Sequence, residues 1–345
     1  PAVLSASALK AKKRKAAKAA LRALQQVTKN VLVTGATGLV GRQVLQAFAS
    51  QAQWVVRGLG NSRAGGDIAR CDLLDLSQLT EIFEDFEPDI VVHCAGDRSD
   101  KAAKDENWAM RVNCEAVGNV AALCGRSGAL LVCISTSDVF DGALPAYGED
   151  AVPNPVDVHG KSKLAGEKAA LEAHVLTAVL RVPALFGPVQ DLRESHVTGV
   201  LETIRTNPSA SLDDSLEFFP TSTVDVASVI SQFCGEYVAR GQLPTEFTGI
   251  FHWQGSEAHT DYSLGVAMAR LAGIAVDLRK AGADIPTRGK VNMLCSRMEA
   301  VLGAGVAKCR TSFDRAAVEA IENLVEIGKA APAEEPKSEG KQETA

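Results

Sequence analysis

Val31-Leu32-Val33-Thr34-Gly35-Ala36-Thr37-Gly38-Leu39-Val40-Gly41 decides the fold. It is a short apolar strand, a turn with three glycines at three-residue spacing, and the start of a helix. Gly35 permits the tight turn, Gly38 lets backbone approach a pyrophosphate, and Gly41 lets helix and strand pack closely. The helix start adds free N–H groups and a partial positive charge. A glycine-rich turn with no ligand is the plain alternative. The strand before it and the helix after it favour a dinucleotide loop. Thr34, Gly35, Thr37, Gly38, Leu39, Val40 and Gly41 are therefore expected around a cofactor.

Outward from this loop, strand and helix alternate. Arg42 to Ser50 reads as the first helix and Trp54-Val55-Val56 as the second strand. Ser77 to Phe86 is an amphipathic helix, and Asp89 to Cys94 is a strand. Lys104 to Gly125 reads as one long helix, Ala129 to Ile134 as a strand, Lys161 to His174 as a helix, and Thr177 to Val182 as a strand. Apolar strands separated by helices predict an α/β fold: a Rossmann-like, doubly wound parallel sheet covered on both faces. A smaller, discontinuous C-terminal lobe is expected over the strand ends, where such sheets bind ligands. The boundaries predicted are a basic arm at 1–29, a body at 30–329 and an acidic, disordered tail at 330–345. Within the body the core covers about 30–187 and 217–245, and the lobe about 188–216 and 246–300.

Composition limits the function classes. The 345 residues carry a formal charge of -6, but residues 1–30 hold eight Lys/Arg and no acid. Residues 331–345 carry -2, which leaves -12 for the rest. The body has no reason to attract nucleic acid; the arm, basic over residues 10–22, is expected to meet an acidic surface. A solvated helix and a mitochondrial presequence are its other readings. No apolar run reaches the roughly 18 residues that span a bilayer. The eight cysteines are scattered, without a Cys-x-x-Cys pair, so no metal site is expected and reduced thiols in a cytoplasmic setting are. A mitochondrial site, or attachment to a cytoskeletal assembly through the arm, is the alternative.

The end of the second strand bears on cofactor choice. An NAD site usually places Asp or Glu there. Here Arg57-Gly58-Leu59-Gly60-Asn61-Ser62-Arg63 has no acid before Asp67. Arg57 and Arg63 are expected to meet a 2′-phosphate, which favours NADP over NAD. Two solvated arginines are the bland alternative.

The glycine spacing with Thr34 before it resembles the fingerprint of extended short-chain dehydrogenases/reductases. That resemblance implies adenine contacts at Asp72 and Leu73, and a segment beside the cofactor at Cys94, Ala95 and Gly96. It also implies family positions at Asn113 and Arg181. Thr136 aligns with the catalytic hydroxyl, and Lys163 with the lysine that holds the nicotinamide ribose. Val156-Asp157-Val158-His159-Gly160-Lys161-Ser162-Lys163 resembles the Tyr-x-x-x-Lys segment, with His159 in place of the tyrosine. Tyr147, Tyr237 and Tyr262 are the only tyrosines, and none has a lysine four residues on. The imidazole reaches roughly 2 Å less far than a phenol, and about 1 Å of misplacement costs on the order of 10²-fold. Lys161 and Lys163 disfavour its charged form. His159 is therefore expected to fill space and cap the helix start, leaving Thr136, His159 and Lys163 a degenerate triad.

From residue 30 to about 325 the chain resembles the dTDP-4-dehydrorhamnose reductase branch and, nearer still, the regulatory beta subunit of methionine adenosyltransferase. The runs that carry this are Phe219-Pro220-Thr221 and Phe251-His252-Trp253. The resemblance implies an NADP-binding, non-catalytic regulatory or scaffold subunit for S-adenosylmethionine synthesis, partnered by the catalytic subunit or another large assembly. An NADPH-dependent nucleotide-sugar reductase and a structural subunit built on an old dehydrogenase body are the alternatives. That family docks through a tail ending in bulky apolar and basic residues. Residues 330–345 have no aromatic or large aliphatic side chain, so tail docking is not expected.

Overall fold

The computed structural model describes residues 28–241, 244–282 and 290–324. Seven parallel strands form the central sheet: β1 (Lys29–Thr34), β2 (Trp54–Gly60), β3 (Ile68–Arg70), β4 (Ile90–His93), β5 (Leu130–Thr136), β6 (Thr177–Val182) and, late in the chain, β10 (Gly249–His252). Their spatial order is β10-β6-β5-β4-β1-β2-β3. The central strands are mostly apolar because helices cover both faces. Val31 and Val33 point into one layer with Val44 and Phe48, while Leu32 points into the other with Leu79 and Val120. The period-2 geometry of a strand thus builds two cores from one run of sequence. The described residues contain no helix long and apolar enough to cross a membrane.

The helices follow their caps. After α1 (Leu39–Ala49), α2 (Leu76–Phe86) starts where the Asp75 carboxylate accepts the N–H groups of Ser77 and Gln78. The long helix expected over 104–125 is broken into α3 (Asp100–Lys104), α4 (Glu106–Met110), a π-turn at Arg111–Glu115 and α5 (Ala116–Ser127). Asp105, extended at φ -123°, stops α3 and caps α4 by accepting Trp108 N–H. That cap and the π-turn turn Asn113 inward, where it is 1% exposed. α6 (Val158–Ala173) is capped by Asp157, which accepts Gly160 N–H at 2.7 Å. The helix start is therefore not capped by His159, whose side chain does not reach back to those amides.

The small lobe also differs from its predicted bounds. Residues 249–252 are not in it: β10 is the sheet's edge strand, and Phe251 packs on Phe233 with ring centres 5.0 Å apart. The lobe's core joins α7 (His196–Thr206), α9 (Asp261–Ala272) and α11 (Phe313–Ile321), so it also runs past residue 300. The helix between them, α8 (Thr223–Ala239), packs on α1 under the sheet. Four residues of alternation around Phe251 are too few to tell an edge strand from a lobe segment. The arm through residue 27 and the tail at 330–345 lie outside the described residues.

One buried ion pair fastens α6 to the sheet. Glu167 accepts Arg181 Nε at 2.9 Å and Nη2 at 2.6 Å, and the Ser135 hydroxyl at 2.5 Å. The pair is 2–3% exposed. The guanidinium also lies 5.1 Å from the Phe140 ring centre. Removing one partner strands a charge in the interior. Glu167→Ala should therefore cost about 3–5 kcal/mol in urea unfolding; a loss below about 1 kcal/mol would mean the pair is idle.

The glycine loop makes a second prediction. A Cβ on Gly41 would lie 2.1 Å from Gly35 O, a backbone atom that cannot swing aside. Gly41→Ala should lose about 1–3 kcal/mol by overpacking. In α5, Gly118 has only Ala169 Cβ at 3.9 Å, so Gly118→Ala should gain about 0.5–1 kcal/mol of helix propensity. Equal effects in denaturant melts would remove the steric argument.

Candidate functional site

The cleft lies at the C-terminal ends of β1, β2, β4, β5 and β6, where the glycine turn, the β4 loop and the small lobe meet. Gly35 holds φ +65°, and a Cβ there would strike Ala95 N at 2.6 Å. The turn closes with Gly38 N–H on Gly35 O at 2.9 Å. α1 then begins with no side-chain cap, so its first N–H groups face the cleft undirected. This cradle admits backbone-bound phosphate and nothing with a side chain in its way, and it fits a dinucleotide.

Two adjoining cavities continue from it. One, about 370 Å³, is lined by Gly35, Thr37, Gly38, Arg63, Asp72, Leu73, Cys94, Ala95 and Gly96 among others. The second, about 730 Å³, adds Leu39, Val40, Thr136, His159 and Lys163. Most of the residues expected around a cofactor are thus brought together.

Five are not at its wall. Thr34 is buried, its hydroxyl 2.9 Å from His93 Nδ1. Gly41 stands behind the turn. Arg57 points away: it pairs with Asp85 at 2.6 Å and lies 4.5 Å over Phe86, because its strand position faces the α2 side. Arg181 is spent on Glu167. Asn113 is a brace, accepting Asp97 N–H and donating to Asp97 O and Ser162 Oγ.

At the reactive end, Lys163 is 8% exposed and donates to Ile134 O at 2.6 Å. Thr136 Oγ1 accepts Asp138 N–H at 3.1 Å. His159 Nε2 lies 3.9 Å from the Asp138 carboxylate, and its Nδ1 is buried without a partner. Burial lowers the imidazole pKa, Lys163 and Arg98 lower it further, and Asp138 opposes them. Lys161, expected to contribute, is exposed and plays no part; Arg98, from the β4 loop, does. At neutral pH His159 is uncharged. Cys94 also lines the cleft, but burial pushes its thiol up to about 12, so it is no nucleophile.

Several cleft residues escaped sequence reasoning: Arg98, Trp108, Arg111, Arg193 and His196. They sit on loops and on pieces of helix whose approach is set only by the folded chain. Trp108 carried the one local signal, an Asp three residues before it. Its indole donates to Asp97 at 2.7 Å.

Comparison with known proteins agrees with this geometry. Residues 29–303 match the RmlD substrate binding domain. Methionine adenosyltransferase 2 subunit beta of Bos taurus is 38% identical over 284 residues, 80% of this chain and 83% of that protein. The crystal structure of dTDP-4-dehydrorhamnose reductase from Bacillus anthracis in complex with NADP superposes with a TM-score of 0.71 at 21% identity, covering 86% of this chain and 100% of that one. WbmG of Bordetella bronchiseptica, in complex with NAD and UDP, also gives 0.71, at 17% identity over 86% and 93%. The two structural likenesses show the same fold, in one protein with NADP and in the other with NAD. The match along most of its length places this chain in the RmlD substrate binding domain family.

Proposed function

We propose that this protein is an NADP-binding, non-catalytic regulatory subunit, and that its partner is the catalytic subunit of a methionine adenosyltransferase. The observation that carries the first half is the missing proton donor. A reductase of this fold needs a phenol beside Lys163. None of the three tyrosines lines either cavity. Tyr147 stacks on Phe140 and donates to Asp141, Tyr237 is in the core, and Tyr262 lies under Lys280. His159 is a poor substitute, since Nδ1 is shut in and Nε2 faces a carboxylate. The subunit reading rests on the relatives, whose name is that of a subunit. An assembly other than methionine adenosyltransferase would use the same body. The basic arm, residues 10–22, is read as the part that meets an acidic surface.

The preference for NADP rests on Arg63. The segment after β2 brings Asn61, Ser62 and Arg63 to the cavity wall and no carboxylate. With Arg57 engaged elsewhere, one guanidinium serves a 2′-phosphate instead of two. Ligand present at about 100 times its Kd adds roughly 2.7 kcal/mol of stability. Millimolar NADP should therefore raise the melting temperature. Arg63→Ala should weaken NADP about 10-fold or more and NAD hardly at all. Arg57→Ala should leave the ratio of the two affinities unchanged. If neither dinucleotide moves the melt, the cofactor reading fails; if Arg63→Ala weakens both equally, only the 2′-phosphate contact does.

Activity decides between this reading and a reductase, which the retained Thr136 and Lys163 in the cleft would otherwise favour. Purified protein should show no NADPH oxidation above background with a panel of nucleotide-sugar ketones. It should co-elute with a methionine adenosyltransferase catalytic subunit and change its kinetics. Steady turnover that His159→Phe abolishes, with cofactor affinity intact, would make the histidine a working acid and the pseudoenzyme reading wrong.

A further inference from the structure

A long groove on the face away from the cofactor cleft has no assigned occupant. It runs along the crease between α1 and α8 and has a volume of about 1090 Å³. Its floor is small: Ala47 from α1, and Ser231 and Gly235 from α8. A Cβ on Gly235 would meet nothing within 4 Å. Its charged lining is Glu236, Glu319 and Glu322, with no lysine or arginine. Glu236 and Glu319 make exposed pairs with Arg240 and Arg315, one helical turn away along their own chain and outside the groove. Such pairs are worth little and exchange readily.

The chain enters the fold at this groove. Lys29 N–H donates to Gln53 O at 3.0 Å, and Gln53 lines the groove's end. The opposite end is near Pro188, whose carbonyl holds Arg42 at 3.1 Å. Gln51 donates to Ser231 across the crease at 2.7 Å, which sets Glu236 toward the Gln53 end. Glu319 and Glu322 stand at the end of α11, on the side of Pro188, where Val189 N–H meets Ala320 O.

We propose that residues 10–24 of this same chain lie in the groove. The acidic surface met by the basic arm is then the protein's own. This deepens the arm reading alone; cofactor and catalytic-subunit partner do not enter it. The sequence supports it on three counts. Ala17, Ala20, Leu21 and Leu24 recur at helical spacing and make a narrow apolar face that suits a floor of small residues. Lys13 and Arg14 extend that face at its N-terminal end and Lys18 stands at its border, while Lys15 and Arg22 point away from it. As a helix, fifteen residues measure about 22 Å, close to the roughly 25 Å of α8. Gln25 to Thr28 can bridge up to about 14 Å from the groove to β1. The direction is fixed by the point of entry: Leu24 falls near the Gln53 end, and Lys13 and Arg14 near Glu319 and Glu322.

Zero-length carbodiimide cross-linking tests this on full-length protein, as a 1:1 mixture of ¹⁵N-labelled and unlabelled chains. Mass spectrometry should find Lys12 or Lys13 joined to Glu319 or Glu322 within a single isotopic copy. The links should vanish in about 0.5 M salt, which screens exposed pairs, and in a Glu236→Gln, Glu319→Gln, Glu322→Gln variant. Removing residues 1–27 should speed amide exchange in residues 227–236 about 5- to 30-fold, the range set by one or two kcal/mol. Exchange in β4 and β5 should hold, as a check on folding. Links between copies would make a second chain the occupant. Links scattered over other carboxylates, or unchanged exchange in 227–236, would overturn the proposal. The NADP melt is read separately, so failure here leaves the cofactor reading standing.

Discussion

One carboxylate sets the reactive end of the cleft. Glu167 takes two guanidinium N–H groups and a hydroxyl inside the protein, from β6 and β5, while sitting on α6. Charges removed from water cost several kcal/mol each unless paired with good geometry. Here the pairing is bidentate, so sliding α6 along the sheet would break three bonds at once. Lys163 is one helical turn before Glu167 and His159 two turns before it, so both are carried to the cleft by that single anchor. Gly160 and Gly166 permit the contact: a Cβ on either would sit 2.1 Å from a backbone oxygen, of Asp138 and Asn113 respectively. Arg181 resembles a cofactor residue in sequence because the anchor and the site are neighbours, not because it reaches the ligand.

On the regulatory reading, the anchor has outlasted the chemistry it serves. In the stretch that resembles Tyr-x-x-x-Lys the chain has His159, and its Nε2 lies 3.9 Å from the Asp138 carboxylate. A phenol and its lysine form a unit in which the ammonium makes the phenol acidic. A neutral imidazole gains nothing from that ammonium; the positive charge only holds it uncharged. Lys163 keeps its bond to Ile134 O and its place in the cavity wall, which is the binding half of its role. On the regulatory reading, the site retains what grips a dinucleotide and has lost what spends one.

Five of the seven strands were legible because each is a short apolar run between helix signals, and the glycine spacing marked the first turn; β3 is only Ile68-Ala69-Arg70 and β10 was read into the lobe. The cavity wall was legible for the same reason: Gly35, Gly38, Asp72 and Cys94 to Gly96 all follow strand ends, which the fold must gather at one edge. Three things were not. Arg57 and Arg63 look alike in sequence, but Arg57 stands within β2 and faces Asp85, while Arg63 lies on the turn after the strand end, at the cleft. The helix over 104–125 was broken by Asp105 and a π-turn, which a propensity average does not register. The small lobe's pieces, from α7 to α11, meet through packing between segments more than a hundred residues apart, so its limits were misjudged at both β10 and α11. His159 itself was legible as a substitution, but its partner Asp138 and the influence of Arg98 needed the fold.

On the same reading, a protein that does not turn over its dinucleotide can still use it. The cleft wall comes from two bodies: the sheet ends supply Gly38, Cys94 and Lys163, and the small lobe supplies Arg193, Glu194 and His196. One ion pair already crosses between them, Arg42 to Glu194 at 2.7 Å. A ligand in contact with both sides favours the arrangement in which they are close, in proportion to its differential affinity for that state. On the regulatory reading, the cofactor acts as a fixture whose occupancy follows the cellular dinucleotide concentration. Its reporting surface is then the rim where α7 and the β4 loop meet, since those are the elements the ligand would hold together. The groove along α1 and α8 shares no lining residue with the cleft, although α1 begins at the cleft with Leu39 and Val40. The two surfaces are thus separable by construction, one answering to the cofactor and the other to the charge of the arm.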